Sequence, residues 1–486
     1  MKFIVKLHPE VMIKSKPVRI RFSKLLVSNI RNVLRKVDED IRVRFNWDHI
    51  VVTCRTERDG LRDELVERLS CIPGIAYFLE VTQHRFDSID DIYQACQSIF
   101  ADELAGKTFC VRVKRSGKHE FSSLDVERYV GGGLNQNTDA AGVKLKDPDM
   151  TIHIQIEEDI AYLVECRHPG LGGFPIATQE DVLSLISGGF DSGVSSFQTI
   201  KRGARTHYCF FNLGGAEHER GVQEVSYYLW NKFGNSHKVR FLSVPFEPVV
   251  EEILEKVDNG QMGVVLKRMM MKVAGKVADR FGIPALVTGE AMGQVSSQTL
   301  TNLNVIDRAT DKVVLRPLIT WDKQEIIDLS RTIGTLPYAE VMPEYCGVIS
   351  NKPTVKAILA KIEAEEAKFS DDLVDRVVEA TQYYDIRDLA MVGKIESDKV
   401  EMETVATPGS GEVVLDIRAP EEEEESPLEL VDNEVVTLPF FKLASQFSAL
   451  PQDKTYLLYC DRGVMSKLQA LYLQEQGHSN IKVYRP

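Results

Sequence analysis

Eight cysteines are spread over 486 residues without a single Cys-x-x-Cys pair, and no histidine cluster accompanies them. That excludes the usual spacings of structural zinc and the closely spaced framework of a small secreted disulfide protein. Cys54, Cys71, Cys96, Cys110, Cys166 and Cys209 are expected to pack as small buried hydrophobes. Long apolar runs are equally absent. No uninterrupted stretch reaches membrane-spanning length, and the opening Met1-Lys-Phe-Ile-Val-Lys-Leu-His8 breaks after three apolar residues, too soon for a signal peptide. A cytoplasmic protein without membrane contact is the expectation.

What is present is ample core material, 43% hydrophobic residues in 54.8 kDa, enough for three or four domains. Charge is distributed unevenly. Residues 1–45 hold 12 Lys or Arg against 4 acidic residues, whereas residues 396–434 hold 14 acidic against 2 basic. A basic front end suits a polyanion partner, and the acidic stretch marks a separate module. Periodicity divides the chain further. An α+β unit at 1–60 has strands Lys2 to Leu7 and Ile50 to Cys54 around a helix Ser23 to Val37. A second unit at 61–167 reads as helices Leu61 to Ser70 and Ser88 to Ala101, strand Thr108 to Lys114, a helix near Ser122 to Tyr129 and strands Met150 to Glu157 and Ile160 to Glu165. Its Gly131-Gly-Gly133 run reads as a helix-ending turn. His168 to Gln179, with five Gly or Pro residues, reads as a linker.

From 176 to 395 apolar strands (Val182 to Ile186, Thr206 to Asn212, Val239 to Val244, Ala285 to Gly289) alternate with amphipathic helices (Gly193 to Lys201, Arg220 to Phe233, Val264 to Phe281). This predicts a doubly wound parallel sheet with ligands at the carboxyl ends of its strands. Thr404 to Gly411 reads as a second linker, and 406–486 as a small α/β module with strands Val413 to Ile417 and Tyr456 to Tyr459.

Two segments carry chemistry. Ser187-Gly-Gly-Phe-Asp-Ser192 sits between a strand and a helix. Gly188 and Gly189 allow backbone N–H groups to approach a polyphosphate, Ser187 and Ser192 add hydroxyls, and Asp191 offers a hard oxygen for Mg²⁺. The lysine of a nucleoside-triphosphatase P-loop is missing. The segment resembles instead the loop of the N-type ATP pyrophosphatases. The second segment is Cys460-Asp-Arg-Gly-Val-Met-Ser466, a cysteine-led loop between an apolar strand and a helix, where N–H groups and a helix N-terminus stabilise a thiolate. With Val413-Val-Leu-Asp-Ile-Arg418 it resembles a rhodanese domain. The usual arginine two residues after Gly463 is replaced by Met465, which leaves Arg462 as the cation.

Residues Thr108-Phe-Cys-Val-Arg-Val-Lys-Arg-Ser-Gly-Lys-His-Glu-Phe-Ser-Ser-Leu124 place Arg112, Lys114, Arg115, Lys118 and His119 on a strand and its following turn, suited to sequence-independent phosphate contacts. They resemble the THUMP signature of RNA-modifying enzymes. All four parts together resemble the bacterial tRNA 4-thiouridine synthetases, in the long form with a rhodanese extension.

That resemblance implies a multidomain α/β and α+β chain: a ferredoxin-like domain and THUMP, an ATP pyrophosphatase domain and a rhodanese-like domain. It also implies thiolation of uridine 8 of tRNA with ATP and Mg²⁺, and Cys460 loaded as a persulfide by a cysteine desulfurase. Cys346 in Met342-Pro-Glu-Tyr-Cys-Gly-Val348 would be the partner thiol. Sulfur for the thiamine thiazole would pass by way of a sulfur-carrier protein. Leu185, Ile186, Lys267, Gly289 and Gln298 would contact the nucleotide beside Ser187 to Ser192, with Lys323 stabilising developing phosphate charge. Two rivals are a different ATP-dependent synthetase or thiolase sharing the loop, and a non-catalytic RNA-binding adaptor. Intact Asp191 and Cys460 count against the adaptor.

Overall fold

The computed structural model describes residues 1–46, 49–213, 215–342, 353–394, 403–418, 423, 426–430, 432–440, 443, 446–460, 466, 469–470, 473–474 and 477–486, with backbone alone at 215–217 and 391–394. The chain forms two compact units, one chiefly residues 1–178 and the other chiefly residues 179–486. Among the described residues no helix is long and apolar enough to cross a membrane.

The first unit is built on one eight-stranded sheet. Its strands are β1 (Lys2–Leu7), β2 (Arg42–Asn46), β3 (His49–Thr53), β4 (Ile75–Arg85), β5 (Thr108–Ser116), β6 (Gly142–Val143), β7 (Met150–Glu157) and β8 (Ile160–Pro169), in the order β2-β3-β1-β4-β8-β7-β5-β6. Strands from both sides of residue 60 therefore share a sheet, joined by β4, which pairs antiparallel with β1 and with β8. Periodicity did not reveal β4. It is a central strand with register breaks against both partners, between Lys6 and Leu7 and between Glu80 and Val81, so its residues do not alternate cleanly.

Three further expectations are corrected. The first long helix runs Lys16–Leu34, not Ser23 to Val37, because Pro17 in its first turn fits the helical start while buried residues begin only at Phe22. Gly131, Gly132 and Gly133 lie inside helix Ser123–Asn137 and do not end it. A Cβ on Gly133 would stand 2.5 Å from the Tyr93 ring, so glycine here lets the helix lie against Ile89–Phe100. The linker from His168 is ordered at its start. His168 and Pro169 complete β8, and Gly172 exchanges backbone hydrogen bonds with Gly74 and Ile75.

In the second unit, β9 (Val182–Leu185), β10 (Thr206–Asn212), β11 (Arg240–Pro245), β12 (Ala285–Val287), β13 (Val313–Leu315) and β14 (Gln382–Asp385) form a sheet ordered β13-β12-β9-β10-β11-β14. All pairs are parallel except β11 with β14. From β9 the chain winds through β10 and β11 on one side, then returns through β12 and β13 on the other. The crevice at the carboxyl ends of β9 and β12 is thus the switch point where open α/β sheets take ligands. Helix Met262–Arg280 covers the sheet with Met262, Met269, Met270 and Met271 buried, unbranched side chains that fill an irregular interface.

The five remaining strands, β15 (Thr404–Val405), β16 (Val413–Asp416), β17 (Val435–Thr437), β18 (Tyr456–Tyr459) and β19 (Ile481–Tyr484), form an all-parallel sheet ordered β15-β19-β18-β16-β17. The expected linker at 404–411 thus begins with an edge strand, paired with β19.

Candidate active site

The loop after β9 is held by its own atoms. Gly188 has φ +86°, a left-handed conformation that glycine adopts without strain. Ser192 Oγ accepts from Ser187 N at 3.3 Å and donates to Gly189 O at 3.1 Å. Ser192 thereby closes the loop around its own backbone. A second clamp comes from His218, whose Nε2 lies 3.3 Å from Ser187 O while its ring meets Phe210 edge-on at 4.8 Å. Burial pushes the His218 pKa down to about 4, so the ring is neutral at pH 7 and donates Nε2–H to the carbonyl.

Asp191 opens helix Phe190–Lys201. Lys323 Nζ reaches its two carboxylate oxygens at 2.9 and 3.0 Å, and Gln294 Nε2 donates to Oδ2 at 3.2 Å. Lys323 begins helix Lys323–Ile333, where the helix dipole disfavours a cation. Its placement there is explained by what it faces. Gly289, just beyond β12, meets the same turn: a Cβ would stand 2.6 Å from Asp191 C and 2.8 Å from Ser192 N. Only glycine allows the two backbones to approach this closely.

Behind Gly289 lies a charged cluster. Glu290 is 3% exposed, and its Oε2 accepts from Thr288 Oγ1 at 3.0 Å and Arg316 Nε at 2.8 Å. Arg316 also grips Asp307 through both terminal nitrogens. Lys267 Nζ lies 3.9 Å from Glu290 Oε1. Gln298 is buried, with its Oε1 lacking a hydrogen-bond partner among the described residues.

Cys460 follows β18 and is buried. Ser466 N donates to its Sγ at 3.3 Å, and Sγ stands 3.4 Å from Ser466 Oγ, so a backbone N–H is aimed at the sulfur. Arg462, Met465 and Cys346 lie outside the described residues. On β5 and the turn after it, the five basic residues divide. Arg115 Nη1 donates to His119 Nδ1 at 2.9 Å, while His119 Nε2 donates to Glu158 O at 2.6 Å, so this pair builds the turn. Arg112 faces Glu127 at 3.8 Å. Lys114 and Lys118 are exposed.

Residues 177–370 match the family described as thiamine biosynthesis protein (ThiI), residues 86–164 the THUMP domain and residues 2–78 the ThiI ferredoxin-like domain. The tRNA sulfurtransferase of Shewanella loihica is 68% identical over 486 residues, covering 100% of both chains, and that of Shewanella piezotolerans is 66% identical over the same length. The chain belongs to the tRNA sulfurtransferase family. A crystal structure of a 4-thiouridine synthetase–RNA complex with bound ATP shares its fold, with a TM-score of 0.70 at 24% identity, covering 79% of this chain and 99% of that one.

In this tRNA sulfurtransferase the fold brings Ser187, Gly188, Gly189, Asp191, Ser192, Gly289 and Lys323 together around one loop. Leu185 ends the strand beneath it and Ile186 follows, with Ile186 N bonded to Cys209 O. Sequence reasoning missed His218, Gln294, Glu290 and Arg316. Glu290 alone carried a signal, as a carboxylate immediately beyond a strand end. The others reach the site from distant segments.

Proposed function

We propose that this tRNA sulfurtransferase adenylylates uridine 8 of tRNA at O4 and replaces that oxygen with sulfur carried on Cys460, giving 4-thiouridine. The observation that carries the reading is the Asp191–Lys323 pair on the first turn after a lysine-free glycine loop, in the same chain as a cysteine whose sulfur receives a backbone N–H. Gln298 Oε1, buried and without a hydrogen-bond partner among the described residues, offers an acceptor to the adenine amino group.

The chemistry proceeds by displacement. Uracil O4 attacks the α-phosphorus, the proton on N3 departs, and the bond to pyrophosphate breaks. The N–H groups of Ser187 to Ser192 and the Lys323 ammonium receive the leaving charge. Among the described residues no three His, Cys, Asp or Glu side chains gather as a metal cage. Asp191 would hold a Mg²⁺, which would neutralise charge on the polyphosphate. The outer sulfur of a Cys460 persulfide then attacks C4 and AMP leaves. Attack of the Cys346 thiolate on Cys460 Sγ frees the thiolated base and leaves a Cys346–Cys460 disulfide, which a cellular dithiol reduces. A cysteine desulfurase supplies the persulfide. Lys114 and Lys118 contact tRNA phosphates. The same persulfide supplies sulfur for the thiamine thiazole through a carrier protein, a role in keeping with the ThiI match. Acting on tRNA, the protein works in the cytoplasm.

The test is nucleoside analysis of a tRNA transcript incubated with the full chain, ATP, Mg²⁺ and a persulfide donor. 4-Thiouridine at position 8, with one AMP and one pyrophosphate per base, is expected. A 2-thiouridine product, or turnover unaffected by replacing uridine 8, would reject the reading.

A further inference from the structure

We propose that Gln294 is a positioning residue for the pyrophosphate loop, the neutral donor that keeps the Asp191 carboxylate aimed when Lys323 leaves it for a phosphate. The inference rests on the reading of Asp191 as the residue that would hold Mg²⁺. Asp191 receives two donors of different kinds. Lys323 Nζ spans both oxygens at 2.9 and 3.0 Å, whereas Gln294 Nε2 reaches Oδ2 alone at 3.2 Å. An ammonium and a divalent cation repel each other on one carboxylate. The amide N–H carries no net charge and has no such conflict. It can stay on Oδ2 through the exchange, so the carboxylate keeps one fixed hydrogen bond after the salt bridge opens.

The loop that carries Gln294 is braced on both sides. Gly293 turns the backbone at φ +76°, a left-handed conformation open to glycine, and its N–H bonds Gln298 O at 2.9 Å. Gln298 N in turn bonds Val295 O at 2.9 Å, and Asn302 Nδ2 holds Ser296 O at 2.8 Å. Met292 N bonds Ile319 O at 3.0 Å, on the segment that leads into Lys323.

Gln294 and Lys323 are therefore mounted on neighbouring segments hydrogen-bonded to each other, and both converge on Asp191. Gln294 is exposed, and an exposed glutamine gives up rotamer freedom to hold one partner. The bracing beneath it reduces that cost by fixing where the side chain starts.

Calorimetry of pyrophosphate binding to the full chain tests this. Gln294→Leu preserves size and removes the amide. It should raise Kd for pyrophosphate about tenfold at saturating Mg²⁺, the scale of one hydrogen bond to a charged group, and less than about twofold without Mg²⁺. An unchanged Kd at saturating Mg²⁺, or an equal rise without Mg²⁺, would overturn the proposal. In an Asp191→Asn background the same substitution should have no further effect. A full rise in that background would show that Gln294 acts elsewhere and overturn the proposal alone. If Asp191→Asn by itself left Kd at saturating Mg²⁺ unchanged, the reading of Asp191 would fall, and the proposal with it. Should Gln294→Leu fail to accumulate as folded protein, Gln294→Asn carries the cycle. It keeps the amide and shortens its reach, and it should give a smaller rise, also absent in the Asp191→Asn background.

Discussion

Two carboxylate–cation pairs in this chain join the same charges in opposite surroundings. Asp416 and Arg418 are 1% and 3% exposed and bonded through both arms, with the guanidinium over the Tyr459 ring at 5.1 Å and a further bond to Ser426 O. Asp191 and Lys323 are 25% and 42% exposed, and the lysine is a flexible point charge. A buried pair cannot exchange partners, because separating it leaves an uncompensated charge in a low dielectric. An exposed pair exchanges readily, since water screens the attraction. Burial and the choice of arginine over lysine together make the first pair a fixed brace and leave the second free to exchange partners.

Breaking each pair should therefore give opposite readouts. Asp191→Asn should lower kcat/KM for 4-thiouridine formation by at least about 10³-fold, on the order of 4 kcal/mol of transition-state stabilisation, with less than about 1 kcal/mol change in unfolding free energy. Normal turnover, measured with saturating ATP, would end the comparison. Asp416→Ala should do the reverse, destabilising the C-terminal module by about 3–5 kcal/mol in urea unfolding while ATP-dependent release of pyrophosphate on tRNA stays near normal. A stable Asp416→Ala chain would show that the pair is no brace.

His218 sharpens the comparison, as a buried group that serves the site by staying neutral. Its folded pKa of about 4 lies below the unfolded value near 6.5. Below pH 6.5 the unfolded chain binds a proton that the folded chain refuses. Stability is full above that pH and falls as pH drops through the window toward 4. From pH 7 to 5 this amounts to about 2 kcal/mol. The pH-dependent loss in wild type should exceed that in His218→Asn by this amount in chemical denaturation, and parallel curves would contradict it.

The smallest effect concerns the basic turn, where paired and exposed cations again differ. Lys114→Ala and Lys118→Ala should each reduce the logarithmic salt slope of tRNA binding by about 0.9 or less. Arg115→Ala should instead disturb the His119 turn. Filter binding across a salt series would reveal an unchanged slope if tRNA docks elsewhere.

Much of the site was legible locally. Ser187 to Ser192 and Cys460 to Ser466 each lie within one short segment, where glycine, hydroxyl and sulfur chemistry act over a few bonds. Asp191 and Lys323 could each be nominated alone, yet 132 residues separate them and nothing in either segment says that they touch. Gly131 to Gly133 misled because a glycine run normally ends a helix. The reason to keep it helical is Tyr93, on another helix. β4 escaped for a related cause, since a central strand is defined by its two partners and its bulges.

By itself, then, the sequence determined what depends on near neighbours: the alternation of strands and helices, the glycine loop and the Asp-x-Arg strand. Tertiary structure alone decided which charges are buried and which meet water. It closed Gly289 against Asp191, aimed Glu290 at Lys267 and drew the strands on either side of residue 60 into one sheet. The physical reason is range. Backbone preference and turn chemistry act within a few residues, whereas dielectric, close approach and charge pairing depend on segments that only the folded chain brings together.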